Sequence, residues 1–131
     1  MMLAMLVACT SDEAIDSATP AVVPAITRLS PADGDTVCRD PLPVVVDVEG
    51  LELVTPPADA TQAVPGTGHI DVTLNGQDAD MVWQTSFDVV GWTDPDGAYQ
   101  LKVELSNADH SPVDPYAGDF VYITLSSGAC G

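Results

Sequence analysis

Between Gly66 and Gly76 the chain reads Gly-Thr-Gly-His-Ile-Asp-Val-Thr-Leu-Asn-Gly. Ile70, Val72 and Leu74 alternate with Asp71, Thr73 and Asn75. Period-two alternation with β-branched residues predicts a strand with one buried and one solvated face. Gly66 and Gly68 read as turn residues ahead of it, and Asn75-Gly76 as the tight hairpin turn that closes it. The clearest strand comes later, where Tyr99, Leu101, Val103 and Leu105 alternate with Gln100, Lys102, Glu104 and Ser106. Residues 25–29, 43–48 and 120–125 are further β-branched or aromatic runs, and Thr36-Val37-Cys38 is a short one. Pro43 belongs at the first position of its strand, because an interior proline loses a ladder hydrogen bond. Residues 77–80 read as a turn, and the apolar runs 81–83 and 86–90 as one bent strand or two.

That pattern is about seven short strands separated by turn signals, with no sustained helical period. It predicts an all-β domain, an antiparallel β-sandwich of immunoglobulin type. Two long connections interrupt it. Residues 51–68 hold Pro56, Pro57, Pro65, Gly66 and Gly68, which forbid a regular helix. Residues 107–118 form the second. Loops of this length in a compact domain tend to carry function. In the sandwich topology the third and sixth strands are antiparallel neighbours, so both loops fall at one pole. Their polar and aromatic residues Asp59, Asp109, His110, Asp114 and Tyr116 are the candidate binding residues.

The same adjacency brings together His69 and His110, the chain's two histidines. Asp71, Asp109 and Asp114 are near them in sequence. Two imidazoles and a carboxylate, His69, His110 and Asp109, can hold a first-row transition ion. The competing reading is that the histidines hydrogen-bond loop backbone. Asp94-Pro95-Asp96-Gly97 has part of a calcium-loop composition, but the ligand series is incomplete, and a hairpin turn accounts for it.

Charge narrows the partners. Twenty acidic residues face three basic ones, for a formal net charge of −17. Such a surface repels nucleic acid and anionic lipid headgroups, whereas cationic partners or divalent ions suit it. No nucleophile elbow, phosphate loop or zinc-hydrolase motif is present, so a non-enzymatic binding module without cofactor is expected, monomeric and with a protein or small-molecule ligand. The alternative is a metal-handling protein binding a divalent transition metal.

The N-terminus has a different character. Residues 1–8 are apolar and end at Cys9, and Leu6-Val7-Ala8-Cys9 resembles the lipobox of bacterial lipoprotein signal peptides. The resemblance implies that Cys9 is lipidated and that residues 1–9 are a signal segment with its anchor. Thr10 after the cysteine is compatible with outer-membrane sorting. The protein is therefore expected in the bacterial cell envelope, lipid-anchored, at the outer membrane facing the periplasm or the cell surface. Residues 10–24 are small, acidic and proline-punctuated. They read as a flexible tether reaching roughly 20 Å as a coil. Residues 25–131 form the sandwich.

With Cys9 lipidated, Cys38 and Cys130 remain in an oxidising compartment. Cys38 follows the first strand and Cys130 follows the last, and in this topology both lie at one pole, within reach of a disulfide. Two free thiols are the alternative.

Residues 30–37, Ser-Pro-Ala-Asp-Gly-Asp-Thr-Val, resemble the opening of many bacterial immunoglobulin-like domains. Gly66-Thr67-Gly68-His69, residues 97–105 and Asp109-His110-Ser111-Pro112 resemble parts of an uncharacterised periplasmic family with GTGH and DHxP motifs. Tyr99 and Ile70 stand where that family often has histidine. The resemblance covers roughly residues 29–125 and implies the fold, with no established activity.

Overall fold

The computed structural model describes residues 23–130; Cys9 and most of the tether lie outside the described residues. Nine strands follow in chain order: β1 (Ala25–Ser30), β2 (Thr36–Cys38), β3 (Leu42–Glu49), β4 (Glu52–Leu53), β5 (Thr67–Leu74), β6 (Gln77–Val82), β7 (Ser86–Val89), β8 (Gly97–Asn107) and β9 (Gly118–Ser126). They form two sheets. One is three-stranded in the order β1-β3-β7; the other runs β2-β9-β8-β5-β4, with β6 also paired to β5. The long pairings are antiparallel, and only the short β2 and β4 run parallel to their neighbours. The protein is an immunoglobulin-like β-sandwich.

Period-two alternation builds the core between the sheets. Leu42, Val44 and Val46 of β3 face Ile70, Val72 and Leu74 of β5 and Leu101, Val103 and Leu105 of β8, and every one of them is buried. The clearest alternation in the sequence thus became the central strand of the larger sheet. Truncating one of these side chains, as in Leu101→Ala, is expected to cost about 2 to 5 kcal/mol.

Four local expectations are corrected. The hairpin after β5 is closed by Asn75 and Gly76 alone, both at positive φ (50° and 81°), so residues 77–80 are already strand. Gly68 is not a turn residue: it lies inside β5, paired with Asn107. A Cβ there would run into the Ser106 carbonyl and the Leu51 side chain, so glycine permits close backbone approach. Pro43 is the second residue of β3. The pairing with β1 stops at Ser30↔Val45, so Pro43 lies beyond the stretch flanked on both sides. Asp94-Pro95-Asp96-Gly97 is not a hairpin turn; residues 90–96 carry the chain from β7 in one sheet to β8 in the other. The apolar runs 81–83 and 86–90 belong to two strands, β6 and β7, in different sheets.

Cys38 and Cys130 are joined, with a Cα–Cα separation of 4.4 Å. The adjacent polar groups hold the same end. Asp96 accepts from the Ser127 amide and hydroxyl, both at 2.9 Å, and Arg39 lies 3.6 Å from Asp96.

Candidate functional site

The opposite pole is made by the roots of β5 and β8. Gly68 pairs with Asn107 and His69 with Ser106, as strand adjacency required. The Ala108 amide donates to the Thr67 carbonyl at 3.0 Å, fastening the 108–117 loop to the start of β5. Buried Val113 and Ala117 anchor that loop, and the Leu105 amide donates to the Ala117 carbonyl at 2.9 Å. Across from it, Thr67 Oγ1 donates to the Val64 carbonyl at 2.6 Å and ties down the 54–66 loop. Between the loops lies a cleft of about 300 Å³ lined by Ala63, Val64, Pro65, Gly66, Asn107, Ala108 and Asp109.

Because Ile70 points into the core, His69 and Asp71 point to the outer face of the larger sheet, beside Ser106. His69 is nevertheless 0% exposed. The His110 ring stands edge-on to it with centroids 5.1 Å apart, and His110 itself is exposed at a φ of 73°. His69 Nε2 is 3.3 Å from Asp71 Oδ1, an ion-pair contact, and both ring nitrogens are buried with no other partner among the described residues. Burial holds the His69 pKa below the ordinary histidine value; His110 adds to the depression and Asp71 opposes it. Ser106 Oγ donates to Asp71 Oδ2 at 2.5 Å. The carboxylate therefore sits between serine and imidazole.

The remaining candidates are placed as follows. Asp109 turns back on its own loop, where Oδ1 accepts from the Ser111 amide at 2.9 Å and from its hydroxyl. Those bonds lower its pKa from the usual carboxylate value. Asp59 caps the 3-10 turn Ala60–Gln62 by accepting from the Thr61 amide and hydroxyl, both at 2.9 Å, and its pKa is likewise lowered. Asp114 is exposed. Tyr116 leaves the cleft and donates to Glu104 Oε2 at 2.6 Å. The structure thus brings His69, His110 and Asp71 together. Among the described residues no group of three or more His, Cys, Asp or Glu side chains is arranged to hold a metal ion. Sequence reasoning missed Ser106 and Glu104. Their signal was available only through register: once β5 and β8 pair, the polar face of β8 falls beside His69 and Asp71.

No protein-family model matches the chain, and no curated protein matches it. Among solved structures it is similar to Clostridium thermocellum CbhA fibronectin(III)-like modules, at 13% identity over 80% of this chain and 47% of that chain, with a TM-score of 0.49. The chain thus spans about half the length of that structure. It is also similar to CopC from Methylosinus trichosporium OB3b, at 14% identity over 79% of this chain and 93% of that chain, with a TM-score of 0.43. Likeness at this level is a matter of fold and says nothing of activity.

Proposed function

We propose that this protein is a non-enzymatic binding module of the bacterial cell envelope, anchored by lipid on Cys9 and engaging a protein or small ligand through the two loops at one pole. The observation that carries the reading is the cleft of about 300 Å³ between those loops, at the low end of the size of ligand sites. Rigid sandwiches commonly present ligands to loops clustered at one end. Val23 lies against Gly50, so the chain enters the sandwich at this same pole. The tether must therefore hold the cleft clear of the membrane.

The test is photo-crosslinking in cells with a photoreactive residue at Val64 or at Asp109. A discrete adduct from both positions, and none from exposed Thr27 on β1, is expected. Equal labelling from all three would overturn the reading. Cys9→Ser is expected to move the protein from the membrane fraction to the soluble one.

One observation favours a second reading, a divalent transition metal at the same pole: both nitrogens of His69 are buried and unpartnered beside His110. Two imidazoles are an incomplete ligand set, so the expected binding is weak. A zinc titration by calorimetry would show heat that is lost in both His69→Ala and His110→Ala; no heat with wild type would sink it.

A further inference from the structure

The outer face of the larger sheet carries a second feature that the cleft does not use. Phe120 and Tyr122 of β9 alternate with core-facing Val121 and Ile123, so both rings stand on the outer face. They are 50% and 59% exposed and pack edge to face with centroids 5.7 Å apart. Tyr116, 59% exposed, leans over Gly118 on the same side, where a Cβ would meet its ring. Three exposed aromatic rings on one sheet face are costly to leave in water unless something covers them.

A carboxylate is held at the main chain of each of the two β9 aromatics, on the strand's edge. Asp119 Oδ1 accepts from the Phe120 amide at 2.8 Å, and Asp33 Oδ1 accepts from the Tyr122 amide at 2.8 Å. Among the described residues, none engages the second oxygen of either. Glu104 takes the Tyr116 hydroxyl. Partial desolvation of the hydroxyl first, then its bond to the Glu104 carboxylate, pushes the Tyr116 pKa up to about 12, so the hydroxyl stays a donor. The same face carries one cation of its own: Lys102, the register partner of Phe120, lies 3.5 Å from Glu104 Oε2.

Charge decides the occupant. The chain has three basic residues, and all are engaged in ion pairs: Arg28 with Asp47, Arg39 with Asp96, Lys102 with Glu104. Glu104 is offset by Lys102, whereas at a net charge of −17 no basic side chain of the chain pairs with Asp119 or Asp33. A ring with an adjacent carboxylate suits a guanidinium, which stacks on the one and hydrogen-bonds the other; an ammonium ion stacks less well. Phe120 and Tyr122 are two residues apart on a strand, which is also the spacing of side chains on one side of an extended peptide.

We infer that this face binds an extended, arginine-containing polypeptide segment with arginines at alternate positions, stacked on Phe120 and Tyr122 and paired with Asp119 and Asp33. The inference rests on reading the protein as a binding module but uses a surface separate from the cleft. It also has freer access, since the face is lateral and the chain enters at the pole.

The experiment compares two fluorescent heptapeptides of equal charge, Arg-Ser-Arg-Ser-Arg-Ser-Arg and its lysine counterpart, by anisotropy at physiological salt. The protein is the full-length chain carrying Cys9→Ser. The arginine peptide is expected to bind about fivefold or more tightly than the lysine peptide. In a Phe120→Ser/Tyr122→Ser variant that preference is expected to fall below about twofold. Both positions are exposed, so the variant's circular dichroism melt serves as the folding control, and the single variants replace it if the melt shifts. Equal affinity for the two peptides in wild type, or an arginine preference that survives the variant, overturns the inference. So does a neutral oligosaccharide such as cellohexaose that binds wild type and is lost in the variant, because the face would then read sugars. Crosslinking from Val64 and Asp109 is independent of these residues. Failure here with adducts there condemns only this face, whereas loss of both condemns the binding reading as well.

Discussion

A buried imidazole with no hydrogen-bond partner is an unusual residue, and His69 is the sharpest single-residue feature of the fold. Burial disfavours its protonation, which would place a charge inside the sheet with only Asp71, 3.3 Å away, to offset it. The unfolded chain has no such restriction and takes up a proton near the ordinary value of about 6.5. Below that pH the unfolded state binds more protons than the folded one, so stability is full above about 6.5 and falls as pH falls toward the lowered folded value. In metal-free buffer the urea midpoint is expected to drop between pH 7.5 and 5. His69→Gln, though less stable at neutral pH, is expected to lose less over the same interval. Parallel curves for the two proteins would show that His69 is not the group responsible. Gly68, immediately before it, explains why the histidine sits so deep: without a Cβ there, β5 and the Ser106 carbonyl approach closely.

At the scale of the strand, carboxylates protect exposed edges. An unpaired edge invites pairing with another chain. β2 joins β9 only from Thr124 onward, so the amides of Phe120 and Tyr122 face no strand, and Asp119 and Asp33 take them instead. Asp80 does the same for Met81 on β6. Removing both acceptors from β9, in Asp33→Ala/Asp119→Ala, is expected to produce self-association in sedimentation velocity at about 100 μM, a range where edge pairing is felt. The Asn/Asn pair keeps an acceptor oxygen and is expected to stay monomeric. If both variants sediment alike, the edge is protected by something other than these bonds. None of this was legible in the sequence, where a run of aromatic and aliphatic residues at 120–125 shows a strand but not its outward face. What was legible rests on local physics. The alternation in β8 marks its own two faces, and Asn75-Gly76 tolerates positive φ, so strand and hairpin could be read directly. Gly68 was misread because its reason is a neighbour 38 residues away in the chain, Ser106. The two histidines were brought together correctly by strand adjacency. The carboxylate beside His69 is Asp71, on the same sheet face, while Asp109 is held by the local turn with Ser111.

Across the whole molecule, the two poles are built differently. One is open and loop-rich, and the chain enters the sandwich there at Val23. The other is closed by the Cys38–Cys130 bond, with Arg39, Asp96 and Ser127 beside it. The bond links positions 92 residues apart, nearly the full span of the domain. Such a cross-link acts mainly on the unfolded chain, whose freedom it restricts in proportion to the logarithm of the loop. That matters here because the unfolded state gains from relief of self-repulsion at a net charge of −17. Reduction, or Cys38→Ser/Cys130→Ser, is expected to lower the unfolding free energy by about 4 to 5 kcal/mol. The urea m-value is expected to rise at the same time, because the released chain exposes more surface when it unfolds. The apolar core does not depend on the bond, so the reduced protein keeps its β-sheet circular dichroism at low temperature. A loss below about 1 kcal/mol with an unchanged m-value would mean that the unfolded ensemble is already confined, and that the polar groups around Asp96, not the covalent link, hold this pole shut.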